Sequence, residues 1–214
     1  MYAMKRQRHK KGYHNKSLWL EGLRCQKVTR KVKRYSSQGK SMNAPLQLQI
    51  LSRDILLTHL DALADILENC VNGGASVSFM LPFSHEKARA FWLKIAASVA
   101  RGERTVLACF DEQRQLIGTV QLITDQPENQ PHRADVAKLL VHEKARRKGA
   151  ALALMNALEQ VARDKGISVL VLDTATGSGA EHFYLRAGWQ KVGEIPRYAL
   201  MPDGELTSTT LFYK

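Results

Sequence analysis

The sequence predicts an α/β domain built on a mixed sheet of about seven strands with about four helices. Three observations predict it. Apolar residues alternate in short runs separated by turn residues. Between several runs the apolar spacing changes to three and four. The order is βααββ and then βαβαββ, an antiparallel start followed by a parallel crossover near the centre.

The elements follow in chain order. LQLQIL (46–51) alternates strictly and reads as a half-buried strand. Ser52 and Asp54 can cap a helix carrying Leu56, Leu60, Leu63, Leu67 and Cys70, and NGGAS (72–76) breaks it. Ser84 precedes a second helix with Ala88, Phe91, Ile95 and Val99 on one face. TVLACF (105–110) and LIGTVQLI (116–123) flank DEQRQ, the pattern of a hairpin. QPENQPH (126–132) is a loop, DVAKLLV (135–141) a strand, and Leu152, Met155, Leu158 and Ala162 mark the third helix. ISVLVL (167–172) is a continuous apolar run, the signature of a strand buried on both faces. A short helix spans about 179–187 and Gly188 closes it. Strands around 190–195 and 207–213 end the chain, joined through Pro202-Asp203-Gly204. The pentapeptide HEKAR occurs at 85 and at 142, but five residues make no repeat architecture.

The formal net charge is +12 over 214 residues. Its distribution matters more than its size. Residues 1–41 hold 13 Lys/Arg and a single acid, Glu21, whereas the remainder holds 19 basic and 19 acidic side chains. The basicity belongs to the leader, so the high isoelectric point carries no message about the folded surface. Residues 1–43 are expected to form a disordered basic extension, and residues 44–214 the folded domain. The extension has three readings: a tail for nucleic acid or anionic lipid, an organelle-targeting peptide, or a segment upstream of a start at Met42. The three cysteines, Cys25, Cys70 and Cys109, form no CxxC and are odd in number. Reduced thiols in the cytoplasm are the expectation. No apolar run reaches the ~20 residues of a membrane span. His142 and His182 have no partner at metal-ligand spacing, so no metal is expected.

The chemistry centres on ARRKGAALALM (145–155). A helix N-terminus presents unpaired N–H groups and partial positive charge, and binds anions where the backbone is accessible. Gly149, Ala150 and Ala151 leave it accessible, and Arg146, Arg147 and Lys148 add charge. The ligand predicted from these residues is a phosphate or pyrophosphate. GxxxxGK[ST] and GxGxxG are both absent, which excludes a Walker loop and a dinucleotide fingerprint.

The spacing Arg146-x-x-Gly149-x-Ala151 after a strand resembles the pyrophosphate motif of the GNAT superfamily of N-acetyltransferases. Beginning 29 residues past Ala151, Ala180-Glu-His-Phe183-Tyr184-Leu-Arg-Ala-Gly188-Trp189 resembles that superfamily's late helix and the glycine–aromatic step after it. The likeness covers about residues 45–214. GGASVSFM (73–80), RADVAKLLV (133–141), LDT (172–174) and the PDG-containing end look like the tabtoxin-resistance acetyltransferases in particular. The residue between Gly149 and Ala151 departs from the pattern, because a larger aliphatic usually stands where Ala150 does.

The resemblance implies a central parallel pair splayed to hold acetyl-CoA, which serves as co-substrate. Its pyrophosphate would meet Arg146 to Ala151, its pantetheine would pair with Leu139, Leu140 and Val141, and Phe183 would lie beside it. Tyr184 would be the general acid towards the leaving thiolate. Asp173, at the carboxyl end of a parallel strand, would bind the substrate ammonium or act as base; its plainer reading is a cap for the following turn. Asp135 would be a base acting directly or through a water, and its plainer reading is a solvated strand residue. The implied reaction is acetyl transfer to the primary amine of a small molecule such as a toxin, an antibiotic or an amino-acid-like compound, by a monomer or homodimer. The alternatives are protein or peptide acetylation, a non-catalytic acyl-CoA-binding protein, and nucleic-acid binding through the basic tail.

Overall fold

Alternation in the first strand sets the layering. In β1 (Gln47–Leu51), Leu48 packs with Leu46 and Ile50 into one core, and Leu51 turns into a second. β1 is therefore apolar towards both sides, beyond the half-burial that alternation alone predicts. The computed structural model describes residues 46–214. The expectations for residues 1–43, the start at Met42 included, lie outside the described residues.

The helices preceding the second strand are α1 (Arg53–Thr58), α2 (Leu60–Asn72) and α3 (His85–Ala100). Ser52 caps α1 and Ser84 caps α3, each side chain accepting an N–H from the first turn. The single first helix expected from the leucine spacing is broken into α1 and α2 at His59, so the described residues hold five α-helices and not about four. Thr58 Oγ1 donates back to Ile55 O at 2.7 Å, and the His59 ring packs edge-on against Phe110 at 5.3 Å. The leucines keep their common face across the break, and Leu56, Leu60, Leu63 and Leu67 are all buried. In α3 the buried stripe is Ala88, Trp92, Ile95 and Ala96, rotated from the expected one, leaving Phe91 and Val99 at its margin. Trp92 decides the rotation: it is fully buried and its Nε1 donates to Leu63 O at 2.8 Å.

The rest of the chain supplies β2 (Arg104–Phe110), β3 (Leu116–Ile123), β4 (Arg133–Val141), α4 (Ala150–Asp164), β5 (Val169–Ala175), α5 (Gly179–Arg186), β6 (Gln190–Leu200) and β7 (Leu206–Tyr213). The seven strands form one sheet in the order β1-β2-β3-β4-β5-β7-β6. One core joins the sheet to α4, with Tyr184, Trp189 and Phe212; the other joins it to α1, α2 and α3.

Two expected strands differ in extent. β5 begins at Val169, because Ile167 N–H still bonds back to Ala162 O in the helix exit, and it runs on through Asp173 to Ala175. Pairing with β7 carries this polar end, opposing Asp173 to Leu211 and Ala175 to Thr209. Leu170 and Leu172 are buried while Val169 and Val171 are only partly so; the run alternates and is not buried on both faces. β6 continues to Leu200, past Pro196 and a register shift between Ile195 and Ala199 where Arg197 takes φ 52°. An edge strand tolerates a proline because one row of its N–H groups needs no partner.

The centre of the sheet positions the site. β4 and β5 are parallel and pair only at Arg133–Val169, Ala134–Leu170 and Asp135–Val171, then diverge. On its other side β4 carries a bulge: Thr119 opposes Leu140 and Gln121 opposes Ala137, so β4 holds one residue more than β3. Within it Lys138 adopts φ 53°, a left-handed conformation for a side chain that does not favour it.

Gly118 lets β3 lie close behind this region. A Cβ there would fall 2.8 Å from Leu140 O, 3.2 Å from Val141 Cγ2 and 3.3 Å from Leu154 Cδ1. Gly118→Ala is expected to lower stability by about 1–3 kcal/mol, as overpacking does in a filled interior. Urea unfolding checks it; an unchanged midpoint would mean that β4 shifts freely.

Candidate active site

The divergence of β4 from β5 opens a cleft of ≈ 570 Å³. Its anion-binding end is the start of α4. Ser52, Ser84 and Ser178 cap α1, α3 and α5, whereas α4, like α2, has no side-chain cap; Gly149 stands at its start with φ 85°. The helix's opening bond runs from Ala153 N–H to Gly149 O, which leaves the amides of Ala150, Ala151 and Leu152 outside the helical ladder. Ala150 is buried, so its small side chain packs beneath the turn, and Ala151 lines the cleft. Arg146 also lines it, its Nε donating to Val141 O at 3.3 Å. Arg147 and Lys148 are exposed and are not among the lining residues.

The middle of the cleft is the β4 edge that β5 leaves. Leu139, Leu140 and Val141 line it, with Cys70 and Phe183. Cys70 Sγ donates to Val141 O at 3.6 Å, and burial pushes its thiol above the ordinary value.

Tyr184 and Asp173 sit together further along. Tyr184 is buried by Phe183, Trp189 and Phe212, with ring centroids 5.3 to 5.9 Å away. Burial, and secondarily the charge of Asp173, push its phenol well above the ordinary tyrosine value. The ring is held from below: Ser178 caps α5, and Glu181 accepts from Gly177 N–H, Lys191 Nζ and Thr210 Oγ1. These bonds keep the Glu181 carboxyl below its ordinary range. Asp173 accepts from Thr209 Oγ1 at 2.9 Å and otherwise faces the opening.

One expected residue is not brought here. Asp135 lies where β4 and β5 still pair, its carboxylate ion-paired with Arg133 and accepting from Gln126 Nε2 at 3.0 Å, and it does not line the cleft. Register accounts for this placement: only past Asp135 do the strands separate.

Other lining residues were given no site role from the sequence. The loop of residues 73–78 and Met201 wall the far end, and Leu81 N–H bonds Pro202 O at 2.9 Å, joining the α2–α3 connection to the β6–β7 turn. Lys138 reaches this end from the bulge, and nothing local distinguishes it from a solvated strand lysine. Among the described residues, His142 Nδ1 accepts from Lys144 N–H and His182 Nδ1 contacts Ser178 O. Asp65, Glu68 and His85 are close enough together to hold a metal, but they lie outside the lining, and Asp65 already pairs with His85 at 3.0 Å.

A bulged strand parting from a parallel neighbour, with a helix start lacking a side-chain cap at one end and a buried phenol along its side, forms one continuous cleft. The chain belongs to the Acetyltransferase (GNAT) family, whose model matches residues 68–189. A human protein named N-acetyltransferase 8 is 34% identical over 92 residues, 41% of this chain. The match spans about 40% of that curated relative's length. Among solved structures, a ribosomal-protein-alanine N-acetyltransferase from Brucella melitensis superposes with TM-score 0.64 at 20% identity, covering 78% of this chain and 98% of its own. The yncA protein of Salmonella typhimurium, solved with its cofactor acetyl-CoA, superposes with TM-score 0.64 at 16% identity, covering 79% and 92%. No helix among the described residues is long and apolar enough to cross a membrane.

Proposed function

We propose that the protein is an acetyl-CoA-dependent N-acetyltransferase acting on the primary amine of a small molecule. One observation carries this reading: a single cleft joins the uncapped start of α4 to Tyr184 and Asp173 along the unpaired edge of β4. The donor set suits a CoA thioester. The Ala150 and Ala151 amides and Arg146 would hold the pyrophosphate, and the backbone of Leu139 to Val141 would pair with the pantetheine amides. Acetyl-CoA, when bound, supplies an activated acetyl group. Asp173 orients the acceptor ammonium and takes its proton. Tyr184, kept neutral by burial, gives a proton to the departing sulfur. Phe183 shields the passage from water.

A small acceptor is favoured over a peptide because the far end is bridged. The Leu81–Pro202 hydrogen bond ties together the two loops that an extended peptide would have to part. Toxins, antibiotics and amino-acid-like amines fit that restriction, and the likeness to the tabtoxin-resistance enzymes falls in the same class. Cys70 and Cys109 are both free, in keeping with a reducing compartment such as the cytoplasm.

Calorimetry with acetyl-CoA, together with thiol release across a panel of amines, tests the reading. Asp173→Asn is expected to cut kcat/KM for the amine by about 10²-fold or more, the scale of a lost general base, with acetyl-CoA affinity unchanged. Failure of the protein to bind acetyl-CoA would sink the proposal. Binding without turnover of any amine would leave an acyl-CoA-binding protein.

A further inference from the structure

The far end of the cleft contains a cation that the acetyl-transfer chemistry does not use. Lys138 lies in the β4 bulge at φ 53°, a left-handed conformation that a non-glycine residue rarely adopts. The bulge re-aims its side chain from the pleat into the cleft. Its immediate partners are neutral: Nζ donates to Ser78 Oγ at 3.2 Å and lies 5.9 Å from the centre of the Phe79 ring. None of the ion pairs among the described residues includes it. Burial lowers its proton affinity; the charge of Asp173 only partly restores it, and the like charge of Arg104 lowers it further. Lys138 is thus a partly desolvated ammonium whose anionic partner is incomplete. A partly buried cation in this state gains more from an arriving anion than an exposed one does, because water competes less.

Asp173 lines the same cleft from the diverging strand. The two strands present opposite charges towards one space, and that pattern complements a zwitterion. We infer that Lys138 is the acceptor-specificity residue: it receives a carboxylate of the substrate while Asp173 receives the amine, so that the preferred acceptors are primary amines bearing a free carboxylate. The inference rests on the acetyltransferase reading above and narrows its substrate class. Ser78 and the Phe79 face hold Lys138 in place without neutralising it. The carboxylate contact leaves the transferred acetyl group untouched, so Lys138 is a binding residue and supplies no proton.

The experiment pairs the twenty amino acids with their α-carboxamides, which keep the amine and lose the negative charge. Turnover is read as thiol release, and binding to the CoA-loaded protein by calorimetry. The wild type is expected to favour the carboxylate member of its best pair by about 10- to 100-fold in kcat/KM, the worth of a charge-assisted hydrogen bond. Lys138→Met should remove that preference by lowering kcat/KM for the carboxylate alone, and Lys138→Arg should restore part of it. Acetyl-CoA affinity should stay the same in both variants. Equal losses on carboxylate and carboxamide, no preference in the wild type, or no binding of any carboxylate-bearing member would each overturn the inference. Loss of acetyl-CoA binding by the wild type is a separate outcome, and it brings down the acetyltransferase reading itself.

Discussion

Tyr184→Phe is expected to lower kcat by about 10²- to 10³-fold, the range associated with a positioned proton donor. The substitution isolates the hydroxyl. Phenylalanine keeps the ring contacts with Phe183, Trp189 and Phe212, and the Tyr184 hydroxyl takes part in none of the hydrogen bonds among the described residues. The melting temperature and acetyl-CoA affinity should therefore change little, while thiol release at saturating substrates falls. The pH dependence follows from the direction of the shift. Burial stabilises the neutral phenol, so the fraction able to donate stays complete through the ordinary tyrosine range and declines only above it. The wild-type rate should consequently show no alkaline fall near pH ~10 that Tyr184→Phe removes. A variant with wild-type kcat would reassign the proton to water.

Gly149→Val is expected to weaken acetyl-CoA binding by about 10- to 100-fold, against less than about threefold for Lys148→Ala. The contrast separates backbone from charge. A Cβ at Gly149 would meet nothing within 4 Å, so the cost is not a clash. It arises from φ 85°, a conformation that a β-branched residue adopts only under strain. Relieving that strain would rotate the turn, and the Ala150 and Ala151 amides would then cease to converge on the proposed pyrophosphate position. Lys148 is exposed, and its charge is screened by solvent. Because the turn is at the surface, Gly149→Val should change the unfolding midpoint far less than it changes calorimetric affinity. Equal affinity losses in the two variants would move the emphasis back to the cationic side chains.

Legibility in the sequence followed the range of the interaction. The caps at Ser52 and Ser84 were readable because each depends on a residue and an N–H three positions away. The turn at Gly149 and the step from Tyr184 to Trp189 were readable for the same reason: Trp189 N–H bonds back to Tyr184 O, five residues earlier. The break at His59 was missed because it coincides with a ring contact to Phe110, remote in the chain. The polar end of β5 was missed because β7 supplies its pairing. Asp135 illustrates the limit most clearly. Its place at the head of a strand suited a base as well as a solvated residue, and whether it reached the cleft depended on β5 still being paired beside it.

The sequence by itself determined the order of elements, the periodicities that make them helices and strands, and the glycine turn that begins α4. Those features arise from φ/ψ preference, side-chain spacing and local hydrogen bonds. Only the tertiary structure decided where β4 parts from β5, which carboxylate enters the gap, and that Lys138 points into it. Register, a bulge and the closure of one loop on another are settled by pairings between residues tens of positions apart, and no local pattern encodes their outcome.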